Sequence, residues 1–271
     1  MQELVAAATD RKQVLVGESA TARRATLSPR PSRRARRKGI HVRLLGSFAL
    51  ICQGKEVSVP MSAQRVIAFI ALQRRPLLRR FVAGSLWLDS SEAHAQASLR
   101  SALWRLNRCG LNPVHVDDQR LRLDDHVEVD LYQAEATARF ALAGSSVEEL
   151  EIDPTTLGTD LLPDWYDDWT LLEREGYRQL RLQALDTLCE QLVRAGRLND
   201  ALAAGLTAVA GDPLRESGHR ALVRVYLAAG NAGDAVRQYH LCQRLLGDEL
   251  GLEPSERMQE LIGTLEAATV C

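Results

Sequence analysis

The sequence lacks the marks of several large protein classes. No run approaches the eighteen or so consecutive apolar residues of a membrane span, although 46% of the residues are hydrophobic, enough for a buried core. The opening MQELVAAATDRKQVLVGES has neither the basic start nor the apolar block of a signal peptide. The five cysteines (Cys52, Cys109, Cys189, Cys242 and Cys271) are scattered, with no CxxC pair and no histidine at ligand spacing. That pattern fits free thiols in a reducing cytosol better than a disulfide framework or a zinc site. There is no GxxxxGKS/T phosphate loop, no GxSxG and no HExxH. The six histidines are dispersed and read as ordinary surface or core residues. No receiver domain is expected. The acidic trio Asp164, Asp167 and Asp168 reads as a capped helix start, where carboxylates complement the helix dipole. Enzymatic, metal-binding and cofactor-dependent readings all lack support, so the expectation is a cytoplasmic protein with no cofactor.

What is present is a lopsided charge. The net value of −1 hides ten Lys and Arg against three Asp and Glu in residues 1–39, and ten against three again in residues 40–108. Residues 109–147 carry three against seven, and residues 148–271 carry eleven against twenty-two. A basic front and an acidic back point to a polyanionic partner at one end of the chain. Residues 1–39, with SPRPSRRARRKG, have almost nothing to bury and read as a disordered basic arm.

Residues 40–128 follow the element order of a winged helix. Residues 40–50, IHVRLLGSFAL, alternate and predict a strand; Gln53-Gly54-Lys55 makes a turn and residues 56–59 return as a second strand. Ser62 is placed to cap a helix over residues 63–73. Arg74-Arg75-Pro76 ends it, and a second helix follows over residues 79–87, with Phe81, Val82, Leu86 and Trp87 inward. A third helix over residues 92–109 stops at Gly110. The period then switches to two: residues 114–117 and 120–123 predict a hairpin with Val114, Val116, Leu121 and Leu123 inside. On the third helix Leu99, Ala102, Leu103 and Leu106 share one face. The opposite face carries Ser101, Trp104, Arg105 and Arg108, with Arg100 on its flank. Arginine can pair bidentately with guanine or grip phosphate, so this face is the candidate DNA reader. Gln119, Arg120 and Arg122 on the hairpin, and Arg65, Arg79 and Arg80 near helix starts, are candidate contacts to groove or backbone.

Residues 129–271 read as helix throughout: residues 130–143, a loop LGTDLLPDWYDDWT, residues 168–195, and then a repeat. RAGRLNDAL at 194–202 recurs as AAGNAGDAV at 228–236, so that Gly196 and Gly230, Asp200 and Asp234, and Ala201 and Ala235 each stand 34 residues apart. That is the tetratricopeptide period. Asp212-Pro213 is placed to open the next unit, and a last helix from Ser255 to about Ala268 would cap the stack. The fold class expected is mainly α, a winged helix-turn-helix (α+β) followed by an all-α tetratricopeptide-like domain.

The motifs LLGSFAL, QGKEVSVP, Leu86-Trp87 and ASLRSALWRLNR, with LLPDWYDDWTLLEREGYRQLRLQALDTL and DPLRESGHRALVRVYLAAGNAGDAVRQYHLCQRLLGDELGLEPS behind them, carry a resemblance. The chain resembles the Streptomyces antibiotic regulatory protein family, which joins an OmpR-type winged helix to a bacterial transcriptional activator domain. The resemblance runs from about Val42 to Ile262. It implies a positive regulator of a secondary-metabolite (antibiotic) gene cluster that binds direct repeats near promoters as a head-to-tail pair and recruits RNA polymerase with its sigma factor. It also implies DNA-contact roles for Arg100, Ser101, Arg105 and Arg108. Leu106-Asn107 and the Gln119–Leu123 wing depart from the family pattern, which keeps a second reading open: an interaction adaptor whose head no longer reads sequence. A third, a ligand-sensing regulator, ranks last because no pocket is visible in the residues.

Overall fold

The computed structural model describes residues 39–108, 112–144 and 153–269; the reading of residues 1–38 as a basic arm lies outside them. The chain begins with β1 (Ile40–Arg43) and β2 (Ala49–Cys52), an antiparallel pair, and not the single strand that alternation predicted. Gly46, at φ 77°, turns the chain between them, and the Arg43 guanidinium donates to the Ser47 carbonyl across that turn. A short β3 (Lys55–Glu56) follows after Gln53 and Gly54, both at positive φ.

Helix α1 (Met61–Gln73) starts after Pro60, which makes Ser62 a first-turn residue and not the cap. Ala63, Val66, Ile67, Phe69 and Ile70 are buried, so this helix is the centre of the head. Arg74 ends it in the left-handed region, at φ 51°. A two-residue strand β4 (Leu77–Leu78) leads to α2 (Arg79–Leu86) and α3 (Glu92–Arg108). The wing is β5 (Val114–Asp117) and β6 (Arg120–Leu123), in the expected positions, with β4 added as a third strand in the order β4-β6-β5. Val116 and Phe81 point to solvent more than expected, each 43% exposed. Strand β7 (Val127–Val129) returns to run parallel to β1 and completes a sheet ordered β3-β2-β1-β7.

Helix α4 (Asp130–Leu142) then opens the helical part, joined by a 3-10 turn (Pro154–Leu157) to α5 (Asp168–Arg194), α6 (Leu198–Gly211), α7 (Glu216–Ala228), α8 (Ala232–Leu250) and α9 (Glu256–Thr269). The 34-residue repeat is visible in matching helix ends. Gly196 and Gly230 sit at φ 72° and 74°, and the next N–H reaches back five residues in both, Arg197 to Leu192 O at 2.9 Å and Asn231 to Tyr226 O at 2.8 Å. That pairing closes a Schellman motif, with glycine supplying the left-handed residue. Ala201 and Ala235 are fully buried where helices cross. Pro213 lies in the turn before α7, whose first residue is Glu216, so it precedes the unit and does not open it.

Close helix approach is tightest at Gly205. A Cβ there would meet Leu222 Cδ2 at 2.6 Å and Cγ at 2.9 Å. Gly205→Ala is expected to destabilise by about 1–3 kcal/mol, the usual cost of overpacking a filled core. Urea denaturation would check this; an unchanged midpoint would mean that α6 and α7 can part without cost.

One apolar core runs without a break from Val42 of the head to Val225 of the stack, and a smaller one, including Val223, Cys242 and Met258, joins α7, α8 and α9. The LGTDLLPDWYDDWT loop is the seam between the two halves. Leu45 bridges Leu161, Gly46 N–H donates to Asp160 O at 2.7 Å, and Leu162 N–H donates to Leu44 O at 2.9 Å. From the other side Arg174 donates to the carbonyls of Leu161, Leu162 and Trp165. Five rings cross the seam in sequence, Phe81, Phe69, Trp169, Trp165 and Phe48, with neighbouring centroids 5.2–6.0 Å apart. The Asp130 carboxylate accepts the N–H groups of Leu44, Leu45 and Leu131, tying β1 to α4; burial raises its pKa and those three bonds oppose the rise. Head and stack therefore meet through a packed interface and not a linker.

Candidate nucleic-acid interface

Helix α3 divides as its periodicity predicts. Leu99, Ala102, Leu103 and Leu106 are buried against α1 and α2, while Arg100, Ser101, Trp104 and Arg105 are exposed, Trp104 to 58%. Positions 101, 104, 105 and 108 lie within one arc of the helix because they are spaced three and four apart. The tryptophan is thus on the outer face and not packed into the stack. Arg108 is the last residue of α3, and its side chain lies outside the described residues.

The wing and the start of α2 form a second group. Leu78 pairs with Arg120, and Arg79 N–H donates to Gln119 O at 2.8 Å, which sets Arg79, Arg80, Gln119 and Arg120 around one corner of the head. Arg75 joins this group, its guanidinium 5.7 Å from the Phe81 ring; its only signal in the sequence was the basic excess of residues 40–108. The wing tip also presents two exposed carboxylates, Asp117 and Asp118, the latter at φ 39°. They oppose a close approach to phosphate there.

Two of the candidate contacts are already engaged within the fold. Arg65 does not face solvent as an open cation: it is ion-paired with Asp167 at the seam and only one quarter exposed. Asp167 stands at the N-cap position of α5, but its carboxylate takes Arg65 and caps no helix N–H. Arg122 is held by Asp125 at 2.7 Å and by the Leu123 carbonyl at 3.2 Å. Each belongs to the fold before it belongs to a ligand.

Most arginines of the stack are ion-paired, with Arg244 and Arg257 exposed and, among the described residues, in no ion pair, whereas the head pairs only some of its own. In the stack, Arg178, Arg181, Arg194, Arg197, Arg215, Arg220, Arg224 and Arg237 are ion-paired, and Arg174 is spent on carbonyls. Among the described residues no carboxylate pairs with Arg79, Arg80, Arg100, Arg105 or Arg120. Uncompensated guanidiniums gathered on an exposed helix face and a wing are what a polyanion needs. Among the described residues no cluster of His, Cys, Asp and Glu is arranged to hold a metal, and no helix is long and apolar enough to cross a membrane.

The described residues thus join a winged helix-turn-helix to a tetratricopeptide-like helical stack. Residues 156–265 match the family model described as bacterial transcriptional activator domain. The matched residues lie in the helical part of the chain, and the domain is the one to which the resemblance in the sequence points. Among solved structures it is similar to Mycobacterium tuberculosis EmbR in complex with low affinity phosphopeptide, with a TM-score of 0.68 and 19% identity over 85% of this chain. It spans 66% of that chain's length, and at that identity the likeness speaks for the fold. No curated protein matches the chain.

Proposed function

We propose that the chain is a sequence-specific, DNA-binding transcriptional activator that works in the cytoplasm at the nucleoid. The outer face of α3 reads a major groove, with Arg100 and Arg105 pairing to base edges and Arg108 extending the row. Arg79, Arg80, Gln119 and Arg120 grip the backbone beside it and fix register. The target is a set of direct repeats near promoters of a secondary-metabolite gene cluster, occupied by two copies head to tail. The acidic stack is held off the DNA by like charge and recruits RNA polymerase with its sigma factor.

The observation that carries this reading is the distribution of unpaired arginines: present on the α3 face, the α2 start and the wing, and rare in the stack. Arg105→Ala and Arg100→Ala are each expected to weaken promoter binding by about 1–3 kcal/mol if the contact is to a base. Arg80→Ala, by contrast, should lower affinity for every sequence alike and flatten the salt dependence by about one counterion. Fluorescence anisotropy at several salt concentrations reads both effects. Unchanged binding in the two α3 variants would move the reading surface elsewhere. Weak, sequence-blind binding by the wild type would favour the adaptor reading.

A further inference from the structure

A cleft of about 380 Å³ opens between α5 and α7, lined by Cys189, Glu190, Val193, Arg194, Ala221 and Arg224. Its charge runs against that of its surroundings. Residues 148–271 hold twice as many acids as bases, yet here two guanidiniums face one carboxylate. Glu190 divides itself between them: Oε1 accepts from Arg224 at 2.6 Å, and Oε2 accepts from Arg194 at 3.4 Å. A guanidinium carries five N–H donors, so most of the donors on both side chains are uncommitted to Glu190. The Arg224–Glu190 pair is about two-fifths exposed on each side and Arg194 is 75% exposed. Pairs this wet hold their partners weakly, and an incoming anion can take the place of Glu190 at little cost.

The floor of the cleft is apolar and neutral. Ala221 and Cys189 are buried, and burial pushes the Cys189 thiol up to about 12, so it is neither an anion nor a nucleophile at neutral pH. Its Sγ is turned to the Ala201 carbonyl at 3.3 Å. Val193 supplies one apolar wall. Two guanidiniums that share one carboxylate beside a small apolar surface match a carboxylate on a short hydrocarbon body.

We infer that this cleft is a binding site for a small organic carboxylate, gripped by Arg224 and Arg194 with its hydrocarbon part on Val193 and Ala221. The site lies on the stack, apart from the α3 face and the wing, and it stands whether or not the head reads DNA. Helix α5 ends on Arg194, while Arg174 in its first half and Arg181 at its midpoint hold the seam.

The test uses the full chain and follows the arginine side-chain Nε–Hε signals in ¹H–¹⁵N spectra during titration with butyrate, butyramide and inorganic phosphate. Saturable shifts at Arg194 and Arg224 with butyrate, and none with butyramide, are expected. Arg224→Gln and Arg194→Gln, whose folding is checked by their urea midpoints, should each weaken butyrate binding about tenfold or more, the loss of a charge-assisted contact. Butyrate without a saturable shift, or equal drift of all arginine signals, would overturn the proposal. So would saturation by phosphate alone, which would reduce the cleft to a site for inorganic anions.

Discussion

Asp160→Ala is expected to lower the unfolding free energy by about 3 kcal/mol, the low end of the cost of stripping a buried charge of its partner. Arg181 lies on α5 with no exposed surface; it is ion-paired with Asp160 and donates from Nη1 to Leu157 O at 3.3 Å. Its Nε has no partner. The guanidinium is accommodated because Gly211 has no side chain; a Cβ there would lie 2.7 Å from Arg181 Nη1. The low end of the range applies because Asp160 is itself half exposed, so water can reach the carboxylate's side of the pair once it is gone. Replacing the arginine is a different perturbation. Arg181→Met removes the charge together with its need for a partner, and it should cost distinctly less than Asp160→Ala. Urea denaturation of both variants measures the contrast. Equal losses would mean that the pair acts through packing and not through charge.

Phe69→Ala is expected to cost about 3–5 kcal/mol, the usual penalty for emptying a buried phenyl site. Phe69 is 2% exposed and stands in the middle of the aromatic chain, 5.9 Å from Phe81 and 5.2 Å edge-on from Trp169. The loss therefore falls on the head and on its attachment to α5 together. If the ring joins the halves, Phe69→Ala and Trp169→Ala should be non-additive, with the double variant losing less than the sum of the singles. Additive losses would leave the seam to its backbone stitches, Leu45 with Leu161 and Gly46 with Asp160.

The parts of this fold that are local in sequence were legible in it. The α3 face follows from apolar residues spaced three and four apart, and the wing from alternation over two four-residue runs. The stack shows itself through self-similarity at 34 residues. What escaped depends on distant partners. Strand β7 has three residues and pairs in parallel with a strand more than eighty residues earlier, so nothing nearby announces it. The pairing of Arg65 depends on Asp167, 102 positions away, which nothing near Arg65 announces. Gly46 had to be a turn because its flanking residues bond to each other and to the 160–162 segment, whereas alternation alone favoured a continuous strand. The acidic trio was placed correctly at a helix start, yet Asp167 is used at the seam. For the site, periodicity gave the positions on α3; which arginines stay open was set by carboxylates that only the tertiary structure brings near.

The most direct test of the central claim is an anisotropy titration of the full chain against promoter DNA carrying direct repeats, with scrambled duplex of the same length as competitor. Binding to the repeats is expected to be about a thousandfold or more tighter than to scrambled DNA, weakening steeply as salt rises. Equal affinity for both duplexes at every salt concentration would contradict it, because the arginine face of α3 would then be gripping backbone without reading sequence.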